Sequence, residues 1–156
     1  MIYIALLVIN ILLIQILHNL AFKIKLVDHP STRKLHKGSI PLVGGIAIYF
    51  TMIIGSIIID INSNLLFILY CASIVVLIGL LDDLINLDFK IRFFCQFVAA
   101  LIIITKGIYI NSISLLDIYN QSYLIYIFIP FTILSIVGFT NAFNFIDGID
   151  GLASFL

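Results

Sequence analysis

The sequence predicts an all-α fold: a polytopic transmembrane helical bundle of five complete helices plus the start of a sixth, with its N-terminus outside. Three observations carry that prediction. Of the 156 residues, 63% are hydrophobic and only 10% charged, whereas a soluble domain carries about a quarter charged residues. The hydrophobic residues gather into runs at 2–22, 42–59, 65–81, 93–105 and 123–140, and another opens at 151–156. Basic residues are concentrated in alternate connections, which is the signature of fixed membrane orientation.

Run 2–22 is long enough, at about 1.5 Å per residue, to cross a hydrocarbon layer of about 30 Å. No lysine or arginine precedes it and no small-residue cleavage pattern follows, so it is expected to stay in the mature chain. Gln15, His18 and Asn19 share one face of its last turns, a pattern that interhelical hydrogen bonding explains without a substrate. Runs 42–59 and 65–81 flank the tight turn Asp60-Ile61-Asn62-Ser63-Asn64. Run 93–105 is short for a crossing unless its helix begins near Phe89. In the connection 106–122, segments 108–110 and 115–118 offer the two arms of a small extracytoplasmic hairpin. Run 123–140 contains Pro130, which is expected to kink its helix.

Orientation follows from the cations. Lys23, Lys25, Arg33, Lys34 and Lys37 follow the first run, Lys90 and Arg92 the third, and only Lys106 falls on the other side. Connections 23–41, 82–92 and 141–151 of what reads as a single membrane domain, 1–156, are therefore expected in the cytoplasm. A formal net charge of zero leaves no basic excess for a nucleic-acid partner. Cys71 and Cys95 both lie inside apolar runs, where a thiol packs as a small hydrophobe and implies no disulfide framework.

The acidic residues are the sharpest functional signal. All eight are aspartate, and four form two knots, Asp82-Asp83 and Asp147-Gly148-Ile149-Asp150, at the ends of apolar runs. A charge in hydrocarbon costs roughly 2.5–3.5 kcal/mol even on a lenient insertion scale, so adjacent carboxylates there call for a cation or a water-filled mouth. Two neighbouring oxygen-donor acids favour a hard divalent ion, Mg²⁺ first, although a solvated helix end accounts equally well for the doublet by itself. Asn141, Asn144, Asp147 and Asp150 recur every third residue, which lines amides and acids along one side of a helix end, while Gly148 and Gly151 let backbone amides approach a ligand. A glycine-rich turn would explain the glycines but not the register. The island 28–45 carries Arg33, Lys34, His36 and Lys37 ahead of Gly44-Gly45. Attraction to anionic lipid suffices for these cations; phosphate binding is the functional alternative, with Gly44-Gly45 allowing close helix packing.

The stretches DHPSTRKLHKGSIPLVGGIAIY, DDLINLDFKIR and NAFNFIDGIDGLA, in this order and spacing, resemble the polyprenyl-phosphate N-acetylhexosamine-1-phosphate transferases, glycosyltransferase family 4. Within that superfamily, Gly38-Ser39-Ile40-Pro41-Leu42-Val43-Gly44-Gly45 is more similar to the undecaprenyl-phosphate N-acetylglucosaminyl 1-phosphate transferases than to the phospho-muramoyl-pentapeptide branch. The resemblance implies an enzyme of the cell inner or plasma membrane with its site facing the cytoplasm. Its substrates would be a UDP-N-acetylhexosamine and undecaprenyl phosphate, its by-product UMP, its cofactor Mg²⁺ with Mn²⁺ as substitute, and its role the initiation of cell-envelope polysaccharide synthesis. It assigns Asp82, Asp83, Asp147 and Asp150 as catalytic, with Asp82, Asp83 and Asp147 toward the metal. Asn141, Asn144, Gly148, Arg33, His36 and Lys37 become substrate contacts. Direct attack by the lipid phosphate and a covalent aspartyl carrier both stay open.

Relatives in this family carry more helices, a later aspartate and a histidine-rich loop. The chain is therefore expected to represent the N-terminal part of a longer transferase, inactive alone and dependent on a partner chain or a homo-oligomer. Two rivals remain in view. A Mg²⁺-dependent membrane prenyltransferase would use Asp82, Asp83 and Asp88 but leaves the basic island unexplained. A non-enzymatic scaffold or cation-pathway subunit should spread its acids over several depths, whereas here only Asp60 and Asp117 lie opposite the others.

Overall fold

A computed structural model describes residues 1–28, 38–111 and 124–146. The chain forms two compact units, Met1–Asp88 and Phe89–Leu156. The first holds helix α1 (Ile2–Ile24), strands β1 (Val27–Asp28) and β2 (Ile40–Pro41), and helices α2 (Gly44–Ile59) and α3 (Ser63–Ile85); the second holds α4 (Phe89–Thr105) and α5 (Ile125–Ile146).

In the first unit α1 stops because Lys25 turns left-handed at φ 61°, sending its N–H to the Ala21 carbonyl. Leu26 N–H reaches the same carbonyl at 2.9 Å, and Leu26 becomes almost fully buried. The chain then pairs antiparallel, Val27 with Pro41 and Asp28 with Ile40, in a two-stranded ribbon that fixes both roots of segment 29–37. Pro41 lies in a two-stranded ribbon with an open edge, where its missing N–H need not break a ladder. Ala21, Leu26 and Val43 form a small buried cluster, and Leu17, Leu42, Ile46 and Leu80 pack against it. Leu80 thus draws the last turns of α3 to the ribbon end of the unit.

Helices α1 and α2 run antiparallel: Leu6 meets Gly55, Asn10 Nδ2 donates to Thr51 Oγ1 at 3.0 Å, and Ala21 lies with Val43. Thr51 Oγ1 in turn donates to the Ala47 carbonyl at 2.8 Å. The close helix approach expected at Gly44-Gly45 is not there: both are exposed, and a Cβ at either would meet nothing within 4 Å among the described residues. Val43 and Ala47 occupy the buried positions, and Gly55 supplies the close approach, 3.2 Å from a Leu6 methyl. The turn expected at Asp60–Asn64 is formed by Asp60 at φ 52° and by Asn62, whose side chain accepts from Asn64 N–H at 2.8 Å.

In the second unit α4 begins at Phe89, as the short apolar run requires. Ile110 N–H donates to Thr132 Oγ1 at 3.0 Å, and Thr132 Oγ1 donates to the Phe128 carbonyl at 2.7 Å, tying the segment after α4 to α5. Helix α5 continues through Pro130. Of the expected hairpin near 108–118, segment 108–110 is irregular backbone and 115–118 lies outside the described residues; the ribbon after α1 is the sheet observed instead.

Large apolar side chains point outward along the helices, Ile57 at 74% and Leu134 at 70% exposure, as lipid-facing surfaces do. Where five complete crossings were expected, three helices among the described residues, Ile2–Ile24, Ser63–Ile85 and Ile125–Asn144, are long and apolar enough by length and composition. Helix α2 is equally apolar but shorter. Helix α4 spends its first turn on Lys90 and Arg92.

Candidate functional site

Asp82 and Asp83 sit in the last turn of α3, two and three residues beyond Leu80. That helix ends because Asn86 turns left-handed at φ 50°, its N–H donating to the Asp82 carbonyl at 2.8 Å. The next amide, Leu87 N–H, donates to Asp82 Oδ1 at 2.9 Å. Asp82 is therefore held twice by its own turn, through its main-chain and side-chain oxygens, and is half-buried, whereas Asp83 is exposed. Adjacent on a helix, the two carboxylates diverge by about 100°, so they can grip one ion only from its flanks. Asp28, at the root of the basic segment, belongs to the same ribbon end of this unit.

Asn141 and Asn144 lie on the last turns of α5, one turn apart on one face. Asn144 is exposed. Asn141 is half-buried, and its Nδ2 donates to the Val137 carbonyl at 2.8 Å and to Gln96 Oε1 of α4 at 2.5 Å. Gln96 is 7% exposed. Helix α5 ends at Ile146, so the start of the three-residue ladder is helical. Asp147, Gly148 and Asp150, and the basic residues Arg33, His36 and Lys37, lie outside the described residues.

The structure thus gives positions to Asp82 and Asp83 in the first unit and to Asn141 and Asn144 in the second. Among the described residues no three His, Cys or Asp side chains cluster as a closed metal cage. Sequence patterning missed Gln96. Its signal was present, since a lone amide inside the apolar run 93–105 calls for a hydrogen-bond partner. It also missed the Leu87 clamp, which follows only from the left-handed turn at Asn86.

The profile of glycosyl transferase family 4 matches residues 65–156. A probable undecaprenyl-phosphate N-acetylglucosaminyl 1-phosphate transferase of Bacillus subtilis (strain 168) is 35% identical over 146 residues, covering 92% of this chain and 41% of the relative. An undecaprenyl-phosphate alpha-N-acetylglucosaminyl 1-phosphate transferase of Escherichia coli (strain K12) is 37% identical over 139 residues, covering 85% of this chain and 36% of the relative. Its counterpart from Yersinia pestis is 36% identical over 138 residues, with 85% and 37% covered. The chain spans about two fifths of the length of these relatives. No solved structure matches it.

Proposed function

The chain belongs to glycosyl transferase family 4, and we propose that its polar helix ends serve the transfer of N-acetylhexosamine-1-phosphate from a UDP-sugar to undecaprenyl phosphate. In this reaction an oxygen of the lipid phosphate bonds to the phosphorus nearest the sugar. The bond from that phosphorus to the bridging oxygen breaks, and UMP leaves with the electron pair. The products are a lipid-linked diphosphate sugar and UMP.

The observation that carries the reading is the pre-held Asp82 beside exposed Asp83, at the end of an apolar helix and at the same end of its unit as the roots of the basic segment. A water-soluble dianion and a membrane-bound phosphate can meet only at the rim of the hydrocarbon, and such a rim needs positioned charge rather than elaborate covalent chemistry. Asp82 and Asp83 would hold Mg²⁺, together with Asp147, and Mn²⁺ could substitute. The ion, when bound, neutralises diphosphate charge as phosphoryl groups rearrange. Arg33, His36 and Lys37 would add donors for phosphate oxygens. Asn141, Asn144, Gly148 and Asp150 would line the nucleotide-sugar side. The rim faces the cytoplasm of a multi-pass plasma-membrane protein with its N-terminus outside, and α2 and α4 complete five crossings. A partner chain or a second copy can cover the polar and small-residue faces.

The test substitutes this chain for its aligned segment in the Bacillus subtilis relative. Purified chimera with UDP-N-acetylglucosamine, undecaprenyl phosphate and Mg²⁺ is expected to release UMP and form lipid-linked diphosphate sugar. Unchanged turnover after simultaneous Asp82→Asn and Asp83→Asn would sink the proposal, as would a requirement for a prenyl diphosphate in place of the UDP-sugar.

A further inference from the structure

Gln96 belongs to none of the three motif stretches, yet it is the buried partner of a residue that does. Its partner Asn141 approaches two acceptors through one nitrogen: the Val137 carbonyl at 2.8 Å and Gln96 Oε1 at 2.5 Å. A backbone carbonyl can only accept, so the Asn141 atom facing Val137 must be Nδ2, and this settles which way the amide is turned. The second hydrogen of Nδ2 then goes to Gln96, which must offer its oxygen. Both donors of Asn141 are spent inside the protein, and Oδ1 is the atom left for a ligand.

We infer that Gln96 is a positioning residue that locks the Asn141 amide, so that Asn141 presents Oδ1 as an acceptor to an N–H or O–H of the nucleotide-sugar. The inference rests on the reading of Asn141 as a substrate contact and gives that contact a polarity. Phosphate oxygens near neutral pH offer almost no donors, whereas a uracil imide, ribose hydroxyls, sugar hydroxyls and an acetamido N–H all do. Asn141 is thereby directed to the nucleoside or sugar rather than the diphosphate. Gln96 can hold it firmly because it is more than nine-tenths buried on a helix otherwise rich in apolar groups, where water competes weakly for the bond.

The test is equilibrium binding of labelled UDP-N-acetylglucosamine, with Mg²⁺, to the chimera that carries this chain in the Bacillus subtilis relative, in lipid nanodiscs. Gln96→Met keeps length and removes the acceptor. It is expected to weaken binding about tenfold, the factor that one hydrogen bond of about 1.4 kcal/mol represents. Gln96→Glu keeps a carboxyl oxygen facing Asn141 whether ionised or protonated, and is expected to bind like the unaltered chimera. Asn141→Ala should weaken binding at least as much, and adding Gln96→Met to it should change nothing further, because the lock has nothing left to hold. If Asn141→Ala weakens binding while Gln96→Met does not, the inference falls and the substrate-contact reading stands. If the unaltered chimera does not bind, or Asn141→Ala binds as well as it does, both fall. Thermal unfolding of each variant is the control for fold: a loss of affinity in Gln96→Glu at an unchanged midpoint also overturns the lock.

Discussion

Among the described residues, each unit of the molecule has an asparagine amide bonded to a side chain of a neighbouring helix, and the two differ in what they leave over. In the first unit Asn10 donates to Thr51, which passes a bond to the Ala47 carbonyl, all of it midway along α1 and α2. In the second, Asn141, on the last turns of α5, donates to Gln96, midway along α4. The chemistry is the same, an asparagine amide meeting a polar oxygen across a helix pair. The first bond spends its polarity within the bundle; the second leaves an oxygen at a helix end that leads into the Asp147–Asp150 knot. A polar bond between helices is therefore not a sign of function by itself.

The largest effect should fall on the charged residues of the first unit. Asp83→Asn in the chimeric enzyme is expected to lower UMP release by roughly 10²–10³, the usual loss when one preorganised electrostatic contact to a reacting centre is removed. Asp82→Asn should lose activity similarly while keeping the fold, because the new amide oxygen still accepts Leu87 N–H. Asp82→Ala should lose that bond as well, and its thermal stability should fall by about 1 kcal/mol. If Asp82→Asn melted as low as Asp82→Ala, the clamp would not be what holds the carboxylate.

Much of this layout was legible in the sequence. The acidic doublet at a helix end, the turn at Asp60–Asn64 and the start of α4 at Phe89 all followed from apolar run length and turn chemistry, which are local properties. The ribbon of Val27–Asp28 with Ile40–Pro41 was not, because two-residue strands carry no period to read. Gly44-Gly45 drew attention as a small-residue pair, but which small residue meets a neighbour depends on helix rotation. That rotation is set by Val43 and Ala47 being buried. Gln96 escaped notice because a single amide does not disturb an apolar run, and its meaning comes from a residue 45 positions away.

A milder perturbation separates the two amide bonds directly. Asn10→Val removes the donor to Thr51 and is expected to lower the stability of the purified chain by about 0.6 kcal/mol, the average for hydrogen bonds between membrane helices. Thr51 keeps its bond to the Ala47 carbonyl, so no buried hydroxyl is stranded. UDP-sugar affinity of the chimera should not change. A shift in nucleotide affinity with Asn10→Val would erase the contrast between the units, since both amides would then feed the site.

The smallest effect tests the interior of the first unit. A Cβ at Gly55 would lie 3.2 Å from Leu6 Cδ1, tighter than ordinary contact, while a Cβ at Gly45 would meet nothing within 4 Å. Replacing glycine by alanine within a helix gains roughly 0.5–1 kcal/mol from lower backbone entropy in the unfolded chain. Gly45→Ala should show that gain in full as a higher unfolding midpoint. At Gly55 the same gain is opposed by crowding, but the neighbour is the end of a flexible leucine, which can shift by a few tenths of an ångström. Gly55→Ala is therefore expected near zero, below Gly45→Ala by a few tenths of a kcal/mol. If Gly45→Ala were the more damaging substitution, the close contact would lie at the glycine pair after all, and α2 would be rotated against α1 from the arrangement that brings Asn10 to Thr51.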